Sequence, residues 1–319
     1  MVRRQVANGI DPKGQKRKHD VEFTVRSVSE EYLKRHGHLR SLRGRQYDLG
    51  LINVTLGSRP IASVKVSDLV CLGDKIEVEH GAAAADRVRA TWQTLANWHS
   101  QRVDDFRPPT ARRGAKRNKA EPRSRVLSDD EIRKVWHAAD TLPGPFGRYV
   151  RFLLLTATRR NEAAGIRRSE LVNEATWVIP GSRCKGKRDV LIPLSAAARQ
   201  ILRIMPIVGE GDLVFTNDGR RAIGNFVDPK LVLDKAAGVS GWRLHDLRRT
   251  ARTLLSRARV DVDTAERCLG HAIGGVRATY DRHEYESEKR RAFEALARQI
   301  ELILHPSENK VVRLRGPRS

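Results

Sequence analysis

Trp242-Arg-Leu-His245-Asp-Leu-Arg248-Arg-Thr250, followed by Cys268-Leu-Gly-His271 and, nine residues further on, by Tyr280, is the stretch from which the rest of the chain can be read. His245 and Arg248 stand three apart in a helical context, so their side chains leave one face toward a common point. An imidazole and a guanidinium aimed together suit a phosphate. They suit still better a five-coordinate phosphorus whose negative charge is spread over its equatorial oxygens. Tyr280 is then the candidate attacking group.

Around this stretch lie 319 residues, a length that suits two domains better than one small core. A hydrophobic content of 39% is enough for globular folding, and 61 Lys and Arg against 38 Asp and Glu leave a net charge of +23. Such a surplus is the electrostatic footprint of a polyanionic partner, nucleic acid first, although charge alone carries no specificity. A membrane surface is the rival polyanion. No apolar stretch approaches the roughly 20 residues of a spanning helix, and residues 1–20 lack the apolar core of a signal peptide. The expected location is cytoplasmic. Three widely spaced cysteines, Cys71, Cys184 and Cys268, do not make a disulfide framework, and a lone Cys268-x-x-His271 is short of the ligands a zinc site needs.

Residues 1–20 are basic, with a Gly9-Ile-Asp-Pro12 break. Residues 21–106 carry a helical pattern over Thr24–Arg35, Ser41–Asn53, Val66–Leu72 and Ala83–Arg102, with a turn at Leu56-Gly-Ser-Arg-Pro60. Val88, Trp92, Leu95 and Trp98 recur at three- and four-residue steps, an apolar stripe that reads as core packing, with base stacking as the alternative. Residues 107–125 hold eight basic residues, one acid and three prolines, too little apolar surface to fold alone, and read as a linker. At Ser128-Asp-Asp-Glu131 a capping box opens a second domain over residues 126–305. There Tyr149–Thr158 is an apolar helix, and Thr176–Ile179 and Val190–Ile192 are strands joined by a basic hairpin. Ala196–Met205, Asn225–Ala237 and Glu286–Leu304 are further helices. In the last of these, Phe293, Leu296, Ile300 and Ile303 form a stripe that needs a partner, either its own domain or a neighbouring subunit. Residues 306–319 are a basic tail. The expected fold is mainly α with a small β-sheet.

Five separated boxes resemble those of the tyrosine recombinases, in particular the phage-type integrases of prophages and genomic islands. Thr156-Ala-Thr-Arg159-Arg-Asn-Glu162 is similar to that family's T-G-x-R-x-x-E box, with Ala157 in the place of glycine. Arg183-Cys-Lys185-Gly-Lys-Arg-Asp-Val-Leu-Ile-Pro193-Leu194 resembles its lysine hairpin, and Lys187 competes with Lys185 because such a hairpin can slip by two residues. His245-Asp-Leu-Arg248-Arg matches H-x-L-R-R, Leu269-Gly-His271 follows, and Tyr280 stands at the family's spacing. Tyr285 is the less suitable alternative, being at the wrong distance from His271.

The resemblance extends from Met1 to about His305. It implies a helical core-binding domain joined to a mixed α+β catalytic domain, the two closing on a duplex as a clamp. The implied reaction is strand exchange through a 3′-phosphotyrosine. Its six catalytic residues are Arg159, Lys185, His245, Arg248, His271 and Tyr280, with no cofactor and no metal. In those roles Tyr280 attacks, His245 takes its proton, Arg159 and Arg248 grip the non-bridging oxygens, Lys185 protonates the leaving 5′-oxygen, and His271 hydrogen-bonds the phosphate. Glu162 anchors Arg159. Implied partners are double-stranded DNA at attachment sites, three further copies in a tetramer on paired sites with a monomer in solution, and an accessory DNA-bending protein. Residues 6–12 resemble the end of an arm-binding region, of which residues 1–20 would be a remnant. A catalytically inactive DNA-binding remnant and a type IB topoisomerase-like relaxing enzyme are the alternatives.

Overall fold

The computed structural model describes residues 23–39, 41–109, 123–184, 188–271 and 283–306. Outside them lie the basic start of the chain, most of the expected linker, the basic tail, Lys185 with Lys187, and Tyr280. The chain divides into two compact units between Pro122 and Arg123, each with its own apolar core.

Among its described residues the first unit has four α-helices, α1 (Val25–Arg35), α2 (Leu42–Leu56), α3 (Val66–His80) and α4 (Ala82–Ser100). Thr24 caps α1, its hydroxyl accepting from the Ser27 amide at 3.1 Å. Val88, Trp92, Leu95 and Trp98 all face the interior together with Val28, Tyr32, Ile52 and Leu72, so the stripe on α4 is core. A buried carboxylate, Asp48 on α2, is held by Arg87 and Thr91 of α4 at 2.8 and 3.1 Å, which ties the two helices in register. Helix α3 runs a full two turns beyond Leu72, where the sequence pattern ends it. Gly73, just past that point, lies inside the helix and makes room for a neighbour: a Cβ there would lie 2.9 Å from the Arg89 side chain of α4.

The second unit opens on α5 (Asp129–Thr141), whose capping box is present in full, with Ser128 and Glu131 exchanging bonds at 2.9 and 3.3 Å. There follow α6 (Phe146–Thr156), the short α7 (Arg160–Ala164), the strands β1 (Leu171–Val172), β2 (Thr176–Ile179) and β3 (Val190–Pro193), and then α8 (Ala196–Arg203), α9 (Val227–Ala237), α10 (Leu244–Arg257), α11 (Val262–Cys268) and α12 (Glu286–Leu304). The sheet is antiparallel in the order β1-β2-β3, with Trp177 opposite Ile192 and Ile179 opposite Val190. Mainly α with a small sheet, as the sequence predicts, the unit adds, among its described residues, short elements the pattern does not mark, β1, α7 and α11 among them, of two, five and seven residues. Elements that short carry no usable period.

Helix α12 settles its own question of partner. Phe293, Leu296, Ile300 and Ile303 are buried within the second unit, where the helix packs on α10, α11 and β3. Lys289 reaches the Leu191 carbonyl of β3 at 3.1 Å, and Arg133 of α5 donates to the Ile303 carbonyl at 3.0 Å. In the single chain the apolar face of this stripe is covered by its own domain.

Candidate active site

The first site residue is placed by the way α6 ends. Ala157 adopts a left-handed conformation (φ 51°) and its amide returns to the Leu153 carbonyl at 3.0 Å, which turns the chain sharply. A small residue is needed there, which is where glycine stands in the resembling motif. Two residues on, Arg159 precedes α7, and Glu162 in the first turn of α7 takes both its amide (3.0 Å) and its guanidinium (2.9 Å). Glu162 is nearly buried and thus an anchor for Arg159, whose side chain stays 36% exposed.

Helix α10 supplies the next two. Its first turn is fixed by Asp246, a fully buried carboxylate that caps the Arg243 amide at 2.9 Å and accepts from Arg123 (3.0 Å) and Arg249. His245 is exposed beside it. Burial first, then the charges of Arg249 and Arg248 and, less, Arg159, hold its imidazole below the usual histidine range, while Asp246 acts the other way. The site therefore favours a neutral His245, the form that can accept a proton. Arg248 points inward and is almost buried, donating to the Ala157 carbonyl and the Leu269 carbonyl at 2.6 Å each, with one NH2 group also 3.0 Å from His271 Nε2. These partners are two backbone oxygens and an imidazole nitrogen. Burial, with the charge of Arg159 adding to it, pushes its pKa down to about 10, so it remains a cation at neutral pH. A desolvated guanidinium that feels a second cation, Arg159, is a suitable group to bind an anion.

His271 is placed by the end of α11. Gly270 is left-handed (φ 64°); its amide bonds to the Arg267 carbonyl at 2.9 Å and the His271 amide bonds to the Glu266 carbonyl at 3.1 Å, a Schellman turn. Only glycine takes that position without strain. The turn folds His271 back across the helix end, where Nδ1 lies 2.6 Å from Glu266 Oε2. Cys268 faces the core, its thiol pushed up to about 12 by burial, while the His271 ring is engaged by Glu266 and Arg248.

The hairpin expected to carry the lysine is anchored at its root. Asp189 accepts from the Gly181 amide at 2.7 Å, and Arg183 bonds to the Glu162 carbonyl at 2.6 Å and to Glu170. Glu162 thus fixes Arg159 through its carboxylate and the hairpin root through its carbonyl. Lys185 and Tyr280 themselves lie outside the described residues. Tyr285 immediately precedes α12, its ring under Arg267 at 3.8 Å.

Of the six expected site residues, the structure holds His271 against Arg248 at 3.0 Å, with the charge of Arg159 acting on Arg248 and His245 on the adjoining turn of the same helix. The sequence reading does not mark Glu266, Asp246, Arg123, Arg183 or the two carbonyls that hold Arg248. A spacing of five between Glu266 and His271 is no helical contact and becomes one only through the turn at Gly270.

A family model described as the phage integrase family matches residues 125–287. Prophage integrase IntA of Escherichia coli K12 is 32% identical over 173 residues, which is 51% of this chain and 41% of that protein, so the chain spans about two-fifths of the length of that relative. The IntB protein of the same organism is 26% identical over 329 residues, covering 91% of this chain and 81% of IntB. Among solved structures, a lambda integrase tetramer bound to a Holliday junction superposes with a TM-score of 0.66 at 18% identity, covering 82% of this chain and 81% of that one. At that identity the likeness is one of fold.

Proposed function

The chain belongs to the phage integrase family, and from that premise we propose that it is a site-specific recombinase that cuts and rejoins double-stranded DNA through a 3′-phosphotyrosine, integrating or excising a mobile element. The observation that carries this reading is the buried, cationic Arg248 beside Arg159, held by backbone oxygens and ready for a phosphate. Two guanidinium forks match two non-bridging oxygens better than ammonium groups would. Tyr280 attacks phosphorus, its proton passing to His245. As the bond from Tyr280 oxygen to phosphorus forms, the bond to the 5′-oxygen breaks, and Lys185 supplies the proton that oxygen needs. His271 hydrogen-bonds the phosphate. A 5′-hydroxyl of a partner strand reverses the same steps, so the energy of the phosphodiester is kept and no nucleotide is consumed.

In this reading the four-helix unit grips core-type DNA and the second unit carries the chemistry, on duplex attachment sites paired by a tetramer. No helix among the described residues is long and apolar enough to cross a membrane, and a location at the bacterial nucleoid follows from the proposed substrate.

The test uses nicked suicide duplexes made from the DNA flanking the protein's own gene, resolved on a denaturing gel. Wild type gives a slow-migrating covalent adduct and Tyr280→Phe gives none. Binding without any adduct from wild type would overturn the reading in favour of a DNA-binding protein without catalysis. Relaxation of supercoiled plasmid lacking such sites would favour a topoisomerase.

A further inference from the structure

One carboxylate that the proposed chemistry does not use stands directly behind it. Glu266 accepts from Arg252 Nε at 2.8 Å through Oε1, and its Oε2 lies 2.6 Å from His271 Nδ1. The far nitrogen of that ring, Nε2, lies 3.0 Å from an Arg248 NH2 group. A guanidinium can only donate. Nε2 must therefore accept, the ring proton must sit on Nδ1, and Nδ1 must donate to Glu266. The arrangement is a continuous chain, Arg252 to Glu266 to His271 to Arg248, ending on the guanidinium held by the Ala157 and Leu269 carbonyls.

We infer that Glu266 is a positioning residue of the strand-cleavage reaction, fixing the tautomer and orientation of His271 and, through it, the setting of Arg248; the reactive consequence rests on the recombinase reading above. Both oxygens of Glu266 face donors, so the group must be an acceptor on both sides, which a carboxylate is and a carboxamide is not. Arg252 lies one turn beyond Arg248 on α10 and would, from its position, be read as one more phosphate ligand. Its bond to Glu266 gives it a different task, holding the carboxylate in place. With its Nε2 occupied, His271 acts on Arg248 in the DNA-free protein. To donate to a phosphate, Nε2 must itself carry a hydrogen, with Glu266 facing the other ring nitrogen. An oriented histidine with a carboxylate behind it is a recurrent arrangement, and loss of such a partner costs about 10- to 100-fold in metal sites.

Two measurements test this. In protein labelled with ¹⁵N-histidine and free of DNA, long-range proton–nitrogen correlation reads the tautomer directly. His271 is expected as the Nδ1–H form in wild type, and as the Nε2–H form or a mixture in Glu266→Ala. In the adduct assay, Glu266→Ala is expected to slow cleavage about 10- to 100-fold with DNA affinity unchanged, and to add nothing in a His271→Ala background, since a residue acting only through another is silent once the other is gone. Thermal melts check that each variant is folded, and the near-isosteric Glu266→Gln, which cannot satisfy both donors, replaces Glu266→Ala if that variant does not fold. An Nε2–H form in wild type, an unchanged tautomer in the variants, or losses that multiply in the double variant would each overturn the assignment. If wild type forms no adduct, the recombinase reading fails, while the tautomer measurement still decides what Glu266 does to His271.

Discussion

Arg248 and His245 sit one helical turn apart in opposite surroundings, and the difference assigns their work. Arg248 is desolvated and stays charged; His245 is exposed and kept neutral by burial of part of its ring together with the neighbouring cations Arg249, Arg248 and Arg159. A proton acceptor whose folded-state pKa is lowered keeps its neutral form to more acid pH than an ordinary imidazole. The rate of adduct formation should therefore hold down to pH values below about 6.5 and fall only when His245 gains a proton, with that acid limb altered in His245→Asn. A limb centred above the ordinary histidine value would contradict the geometry. At this scale the sequence was legible as far as the helix: His245 and Arg248 at a spacing of three do stand on one helix, α10, close enough for the charge of Arg248 to act on His245. Glu266 with His271, and Arg248 with the Ala157 carbonyl 91 positions earlier, were not legible. The first depends on the left-handed turn at Gly270, the second on how α6 packs against α10.

Among the elements, α12 shows what an apolar stripe says and what it leaves open. The period of Phe293, Leu296, Ile300 and Ile303 states that one face is buried, but not against what, and tertiary packing gives the answer as the protein's own core. Leu296 is fully buried, so Leu296→Asp should destabilise the second unit by about 3 kcal/mol or more, measured as a lowered melting transition or loss of soluble protein. A variant that melts like wild type and fails only in assembling two DNA sites would restore the docking role. Helix α3 is the converse case. The sequence pattern ends at Leu72, yet the helix continues through Gly73, where the missing Cβ leaves room for the Arg89 side chain. The hairpin strands and the capping box at Ser128 were legible because both depend on local chemistry alone.

For the whole molecule, a charge of +23 on two separately cored units points to a partner engaged largely through its phosphates. Binding of duplex DNA should then weaken steeply with salt, by about a thousandfold or more between about 50 and 200 mM if six or more phosphates are neutralised. A flat salt dependence in a filter-binding or anisotropy titration would mean that the charge serves something else. The division into two separately cored units follows the switch from helical pattern to proline-rich basic segment, and of the expected site residues Arg159, His245, Arg248 and His271 lie in the second unit. What composition and spacing do not carry is the interior wiring, in which Glu162 ties Arg159 to the hairpin root and Asp246 ties Arg123 to the helix bearing His245. The central claim is that this site presents a phosphate to one tyrosine. Protease digestion of the covalent adduct followed by mass spectrometry of the DNA-linked peptide tests it most directly. A nucleotide carried on Tyr280 is the predicted result; a nucleotide on Tyr285, or no linked peptide from protein that binds and bends the same DNA, would contradict it.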